Sequence, residues 1–264
     1  LETGVWASGA VEEAKQTGLG EIIVAGSTKS SNYATLPKGY TIPSDADYFH
    51  YTSNNTVHGT QVKGVPNSPV PLVCDMSSDI FTQELDYSKY DLIYAGAQKN
   101  MGTPGATLAI VKKSILGKTG RKIPYMIDYQ SHVDKKSIYN TPGVFPVYVS
   151  MLTLEWIKKE GGIKEMKKRS EARASLLYSE IDRNSLFEGI VQDKADRSDM
   201  NVIFKLKDEA KFKEAFDKKC KEANLSGMEG YRTVGGYRVS MYNALPLSSV
   251  QVLVDVMKEL EKKA

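Results

Sequence analysis

Up to about residue 145, short apolar runs rich in β-branched and aromatic residues alternate with loops, and from about residue 147 onward the text turns to long amphipathic stretches. This change of period constrains the fold more than anything else in the chain, because side chains alternate every two residues in a strand and every 3.6 in a helix. The runs "EIIVAGS" (21–27), "YFHYTSN" (48–54), "PLVCDMS" (71–77), "DLIYAGAQ" (91–98) and "TLAIVKK" (107–113) are bounded by Gly, Pro, Ser or Asn and predict strands. Ahead of them "SGAVEEAKQTG" predicts a helix, with Ser8 as N-cap and Gly18 as the stop. Helix followed by strand implies an α/β layer with a mostly parallel sheet.

The second half reads differently. "VFPVYVSMLTLEWIKKEGG" predicts a long helix with apolar residues at 144, 147, 148, 151, 152 and 156, ended by Gly161 and Gly162. A further helical stretch, "IKEMKKRSEARASLLYSEIDR", follows, and then strand "NVIFKLK", helix "DEAKFKEAFDKKCKEANL", strand "YRVSMYN" and a closing helix. The expected division is a large α/β domain over 1–165 and a smaller C-terminal α+β domain over 166–264.

Composition narrows the function classes. With 264 residues, 41% hydrophobic and 25% charged, the chain can bury a substantial core. Its net charge of +3 comes from 35 basic and 32 acidic residues mixed along helices, which is no basic stripe for nucleic acid. No apolar run approaches a membrane span. Cys74 and Cys220 are isolated from each other and from His50, His58 and His132, so no disulfide framework or metal site is expected, and a reducing cytoplasm fits. Strand alternation turns Cys74 to the sheet face opposite Asp75.

The residues with chemical promise are Lys99 and Asp75. Lys99 follows the apolar run "DLIYAGAQ" among small residues, a setting that admits an aldehyde and can depress an amine pKa, as a Schiff-base lysine requires. Asp75 ends the run "PLVCD". The carboxyl ends of parallel strands line the ligand crevice of an open α/β sheet, so both groups can reach one cavity. Pyridoxal 5'-phosphate needs this pair: an amine for its aldehyde carbon and an acid for its ring nitrogen. A solvated turn lysine and a turn-capping aspartate are the alternatives on local grounds.

"YAGAQKNMGTPG", "DMSSDIF", "HYTSNNTVHGT", "SIYNTPGVFPVY", "RSDMNVIF" and "GYRTVGGYRVSMYNALP" resemble, in order, the blocks of the phosphoserine aminotransferase family. Those are class V pyridoxal-phosphate enzymes of fold-type I, and the resemblance runs from about residue 3 to the end. It implies that Lys99 is the cofactor's lysine and the catalytic base, and that Asp75 is the carboxylate on the pyridine nitrogen. It further implies that Trp6 stacks on the ring, that Thr56 lies near the ring hydroxyl and Gln98 near the phosphate, and that Asn140 and Thr141 reach the phosphate in the partner subunit of a homodimer. Arg238 is implied to hold the substrate α-carboxylate, and Arg232 the phosphate or distal carboxylate. The implied reaction interconverts O-phospho-L-serine and 2-oxoglutarate with 3-phosphooxypyruvate and L-glutamate, in serine biosynthesis.

The resemblance also sets expectations that this text does not meet. Family members carry a further N-terminal segment with a Gly-rich phosphate loop and a His-Arg pair, so the large domain is expected to be incomplete on that side. Tyr231 stands where many members have His, Asn55 replaces a common Glu, and Gly143 a common Pro. Three other readings stay open at this stage: a transaminase for 4-phosphohydroxythreonine, another class V enzyme such as a cysteine desulfurase, or a non-catalytic scaffold. The desulfurase would need a cysteine on a mobile loop, and Cys74 and Cys220 sit in a predicted strand and a Lys-rich helix.

Overall fold

A computed structural model describes residues 1–264. Helix α1 (Val5–Gln16) leads to β1 (Phe49–Thr52), a small ribbon β2 (Asn54–Asn55) and β3 (Thr60–Gln61), then β4 (Leu72–Asp75), β5 (Leu92–Gly96) and β6 (Thr107–Val111). Helices α2 (Tyr129–Asp134), α3 (Val144–Lys159) and α4 (Gly162–Arg183) follow, and then β7 (Phe187–Gly189), β8 (Asn201–Leu206), α5 (Glu209–Glu222), β9 (Tyr237–Ser240) and α6 (Leu247–Lys262).

The main sheet has the order β1-β4-β5-β6. The pairs β1/β4 and β4/β5 are parallel and β5/β6 is antiparallel, so the sheet is mixed with a parallel centre. One face carries Phe49, Tyr51, Leu72, Cys74, Ile93 and Ala95 into a shared apolar core. Alternation therefore sends His50, Thr52, Asp75 and Tyr94 to the other face. A second core joins α4, α5 and α6 to the antiparallel sheet β7-β8-β9 through Leu177, Phe187, Phe204, Phe216 and Met257.

Several expectations change. Residues 21–27 form no strand and make one bridge, Ser27 to Glu2, because no neighbouring strand offers them a ladder. Gly4, not Ser8, caps α1; Ser8 lies inside the first turn and its hydroxyl donates to Glu2 Oε1 at 3.0 Å. Strand β7 is an addition, three residues too short and too polar to show an alternating pattern. Helix α3 falls where predicted, yet its apolar stripe faces outward: Val144 is 75% and Phe145 67% exposed, and Ile157 alone is buried.

The region around the main sheet is stapled to the C-terminal sheet by buried amides. Asn54 Nδ2 donates to Asn201 Oδ1 at 2.9 Å and to Ser78 Oγ at 2.8 Å, and Ser198 Oγ donates to Asn54 Oδ1 at 2.5 Å. Gly59, with φ at +84°, lies so close to β8 that a Cβ there would sit 2.9 Å from Ile203 Cγ1. Both the left-handed backbone and the lack of space require glycine.

Candidate active site

Asp75 is the last residue of β4 and stands opposite Tyr94 of β5, three residues before Ala97 opens the turn that carries Lys99. Both groups thus leave adjacent parallel strands at their carboxyl ends. The turn after β4 fixes the carboxylate: Asp75 Oδ1 accepts from the Ser77 backbone N–H at 2.8 Å. Ser77 Oγ in turn accepts from the Gly96 N–H at 3.2 Å, tying the two strand ends together.

Lys99 projects toward α1, its Nζ 5.9 Å from the centre of the Trp6 ring. Burial holds its amine below the ordinary lysine range. The Asp75 carboxylate opposes that shift, the Arg238 guanidinium adds to it, and Asp79 again opposes it. An amine so placed is a better nucleophile and base near neutral pH than a solvated lysine.

Trp6 is 52% exposed and is held by its indole N–H, which donates to Thr56 Oγ1 at 3.1 Å. The close approach of α1 to the loop bearing Thr56 depends on Gly4, where a Cβ would meet Asn55 Oδ1 at 2.7 Å. Gln98 folds back over Gly96, its Oε1 2.5 Å from where a Cβ would lie. The buried Nε of Arg238 has no hydrogen-bond partner. This donor set fits pyridoxal phosphate: an amine for the aldehyde, a carboxylate for the ring nitrogen, an aromatic face for the ring and an unpaired guanidinium for a substrate anion.

Trp6, Thr56, Asp75, Lys99 and Arg238 are therefore gathered in one region. Arg232 is exposed on a turn closed by the Val234 and Gly235 N–H groups donating to Tyr231 O at 2.9 and 2.8 Å, its guanidinium open to solvent. Asn140 and Thr141 are exposed just ahead of α3, where Asn140 Nδ2 donates to Thr141 O at 3.3 Å, and they touch none of the gathered residues. Sequence reasoning passed over Ser77, Asp79 and Asn100. The run of serines and aspartates in "DMSSD" signals a hydrogen-bonded turn, whereas Asn100 has no local signal beyond its place after Lys99.

A half-buried lysine beside an indole, and a carboxylate held at the end of the neighbouring parallel strand, make up a set of groups suited to pyridoxal phosphate. In agreement, the class-V aminotransferase family matches residues 1–253, and the chain belongs to that family as a pyridoxal-phosphate-dependent aminotransferase. Within the family its similarity is to phosphoserine aminotransferases. That of Flavobacterium psychrophilum is 60% identical over 263 residues, covering 100% of this chain and 73% of the relative. The solved structure of the Bacillus circulans subsp. alkalophilus enzyme aligns with a TM-score of 0.93 at 39% identity, over 100% of this chain and 73% of that one. The Trichomonas vaginalis enzyme, solved with pyridoxal phosphate bound, aligns at 0.90 and 32%, over 98% and 74%. No clustered metal-binding side chains occur, and no helix is long and apolar enough to cross a membrane.

Proposed function

We propose that this chain, as a homodimer, transfers the amino group of O-phospho-L-serine to 2-oxoglutarate, with 3-phosphooxypyruvate and L-glutamate as products. The observation that carries the reading is the half-buried Lys99 amine, within electrostatic reach of the Asp75 carboxylate and 5.9 Å from the centre of the Trp6 ring. Similarity to phosphoserine aminotransferases at 60% identity supports the substrate.

Pyridoxal phosphate, when bound, supplies an aldehyde to carry the amino group and an electron-accepting ring. The roles of the side chains follow from their chemistry. Asp75 holds a proton at the ring nitrogen, Trp6 provides the flat face against the ring, and Thr56 fixes Trp6 while offering its hydroxyl. Gln98 contributes a polar side chain at the phosphate. Lys99 Nζ removes the proton from Cα of the amino acid, and in the return half-reaction delivers one to Cα of the keto acid. Arg238 binds the substrate α-carboxylate as a planar fork, and Arg232 binds the phosphate or the distal carboxylate. Asn140 and Thr141 are exposed and form no hydrogen bond with the other site residues of their own chain, which supports a role for them at the partner subunit's site in a homodimer. We divide the chain into a large cofactor-binding domain over 1–165 and a small domain over 166–264. Two buried, unpaired cysteines fit work in the cytoplasm.

The test compares wild type with Lys99→Ala after loading with pyridoxal phosphate. Wild type is expected to show the absorbance band of lysine-bound cofactor and to lose it when phosphoserine is added; Lys99→Ala shows no such band. Faster bleaching by an amino acid other than L-glutamate that carries no phosphate, such as L-serine or L-alanine, than by phosphoserine would overturn the substrate assignment.

A further inference from the structure

Asn100 directly follows Lys99, is 3% exposed, and uses both ends of its carboxamide. Its Nδ2 donates to Ile80 O at 3.1 Å, in the segment that continues from Asp75. Its Oδ1 accepts from the Asn243 backbone N–H at 3.1 Å, three residues beyond β9, the strand that carries Arg238. Asn243, also 3% exposed, sends its own Nδ2 toward Phe81 O at 3.4 Å. Two consecutive carbonyls, 80 and 81, are thus held by two carboxamides. Phe81 between them has φ at +62°, a left-handed conformation that a bulky residue does not keep without support.

The geometry points to Asn100 as a positioning residue: it locks the turn bearing Lys99 to the loop behind Asp75 and to the segment behind Arg238, and so fixes where the amine sits between the two. The turn has backbone bonds of its own, Met101 N–H to Ala97 O at 3.0 Å and Gly102 N–H to Ala97 O at 2.9 Å, but these bind the turn only to itself. The Ala97 N–H also ties the turn's start to Ala106 O at 3.0 Å, beside β6; Asn100 and Asn243 are the side-chain links from the turn to the loop behind Asp75 and to the segment behind Arg238. A proton-transferring amine displaced by an ångström loses rate steeply while substrate binding through the arginines persists.

This inference rests on the reading of Lys99 as the cofactor's lysine, so Lys99→Ala is measured beside it in the holoenzyme. In Asn100→Leu, kcat with phosphoserine is expected to fall about 10- to 100-fold, with KM within about threefold. The pKa of the lysine-bound cofactor, read by absorbance titration without substrate, is expected to move. Asn100→Asp, which keeps the acceptor for Asn243 but sets an oxygen against Ile80 O, is the second variant and shifts the same readings. Asn184→Leu removes a buried carboxamide remote from the site and calibrates a purely structural loss; there kcat and the absorbance pKa stay as in wild type. If both Asn100 variants keep kcat and the absorbance pKa, or lose kcat only in step with melting temperature, the positioning role is wrong. If Lys99→Ala retains the lysine-bound band, the underlying reading of Lys99 has failed instead.

Discussion

The indole N–H of Trp6 donates to the hydroxyl of Thr56 across 3.1 Å, joining the first turn of α1 to a loop 50 residues later. The bond fixes the tilt of a ring that is otherwise half open to solvent, and it places the Thr56 oxygen beside that ring.

Trp6→Phe keeps an aromatic face but removes the donor, and Thr56→Val removes the acceptor. A hydrogen bond of this kind contributes about 0.5–1.5 kcal/mol, so each change is expected to weaken cofactor affinity roughly 2- to 12-fold. The double variant should lose little more than either single one. Fluorescence titration of the apoprotein with pyridoxal phosphate reads this directly, and fully additive losses would show that the two residues act separately.

Asp79 gives a pH test of stability. Burial pushes its carboxyl up to about 6, against hydrogen bonds from Ser53, Gln61 and Gln83 that pull the other way. Because the folded protein binds this proton more tightly than the unfolded chain, the contribution is full below about pH 4 and is lost as pH rises through 6. His50 and His58, lowered by burial to about 4, work in the opposite sense, since the unfolded chain takes up their protons first. Only the difference between wild type and Asp79→Asn isolates the carboxyl: the variant's urea midpoint, relative to wild type, should rise between pH 4.5 and 7. Parallel pH curves would mean that Asp79 does not titrate in this range.

How much of this was legible beforehand follows from the physics of each part. Strands β1, β4, β5 and β6 were readable because each is a short apolar run that alternates and then meets a turn residue. Residues 21–27 have the same texture and no strand, since pairing is a property of neighbours and not of the run. Lys99 and Asp75 could be matched because strand ends and chemistry agree. Trp6 gained its place only through resemblance, and Asn100 was invisible because its partners, Ile80 O and the Asn243 N–H, are backbone groups that any residue supplies.

Gly59 marks the closest approach between the loop after β2 and strand β8. An added Cβ would lie 2.9 Å from Ile203 Cγ1 and 3.2 Å from Asn201 O, at a φ of +84°. Gly59→Ala combines overpacking with left-handed strain and is expected to cost about 2–4 kcal/mol. Urea unfolding should show the midpoint dropping with an unchanged slope. A loss below about 0.5 kcal/mol would mean that β8 yields to the methyl group.

The outward stripe of α3 carries the dimer proposal. Val144, Phe145, Tyr148 and Met151 are 75, 67, 54 and 45% exposed, and they follow directly on Asn140 and Thr141. Apolar side chains this exposed along one helix need a cover, and a second copy of the chain would bring Asn140 and Thr141 to the other site at the same time. Phe145→Asp places a charge in the middle of the stripe without touching Lys99 or Asp75. Sedimentation equilibrium should show the dimer of the loaded protein converted to monomer, and cofactor affinity should fall with it because the partner's phosphate contacts leave together. A variant that stays dimeric, or a wild type that sediments as a monomer while holding its cofactor, would remove α3 from the interface.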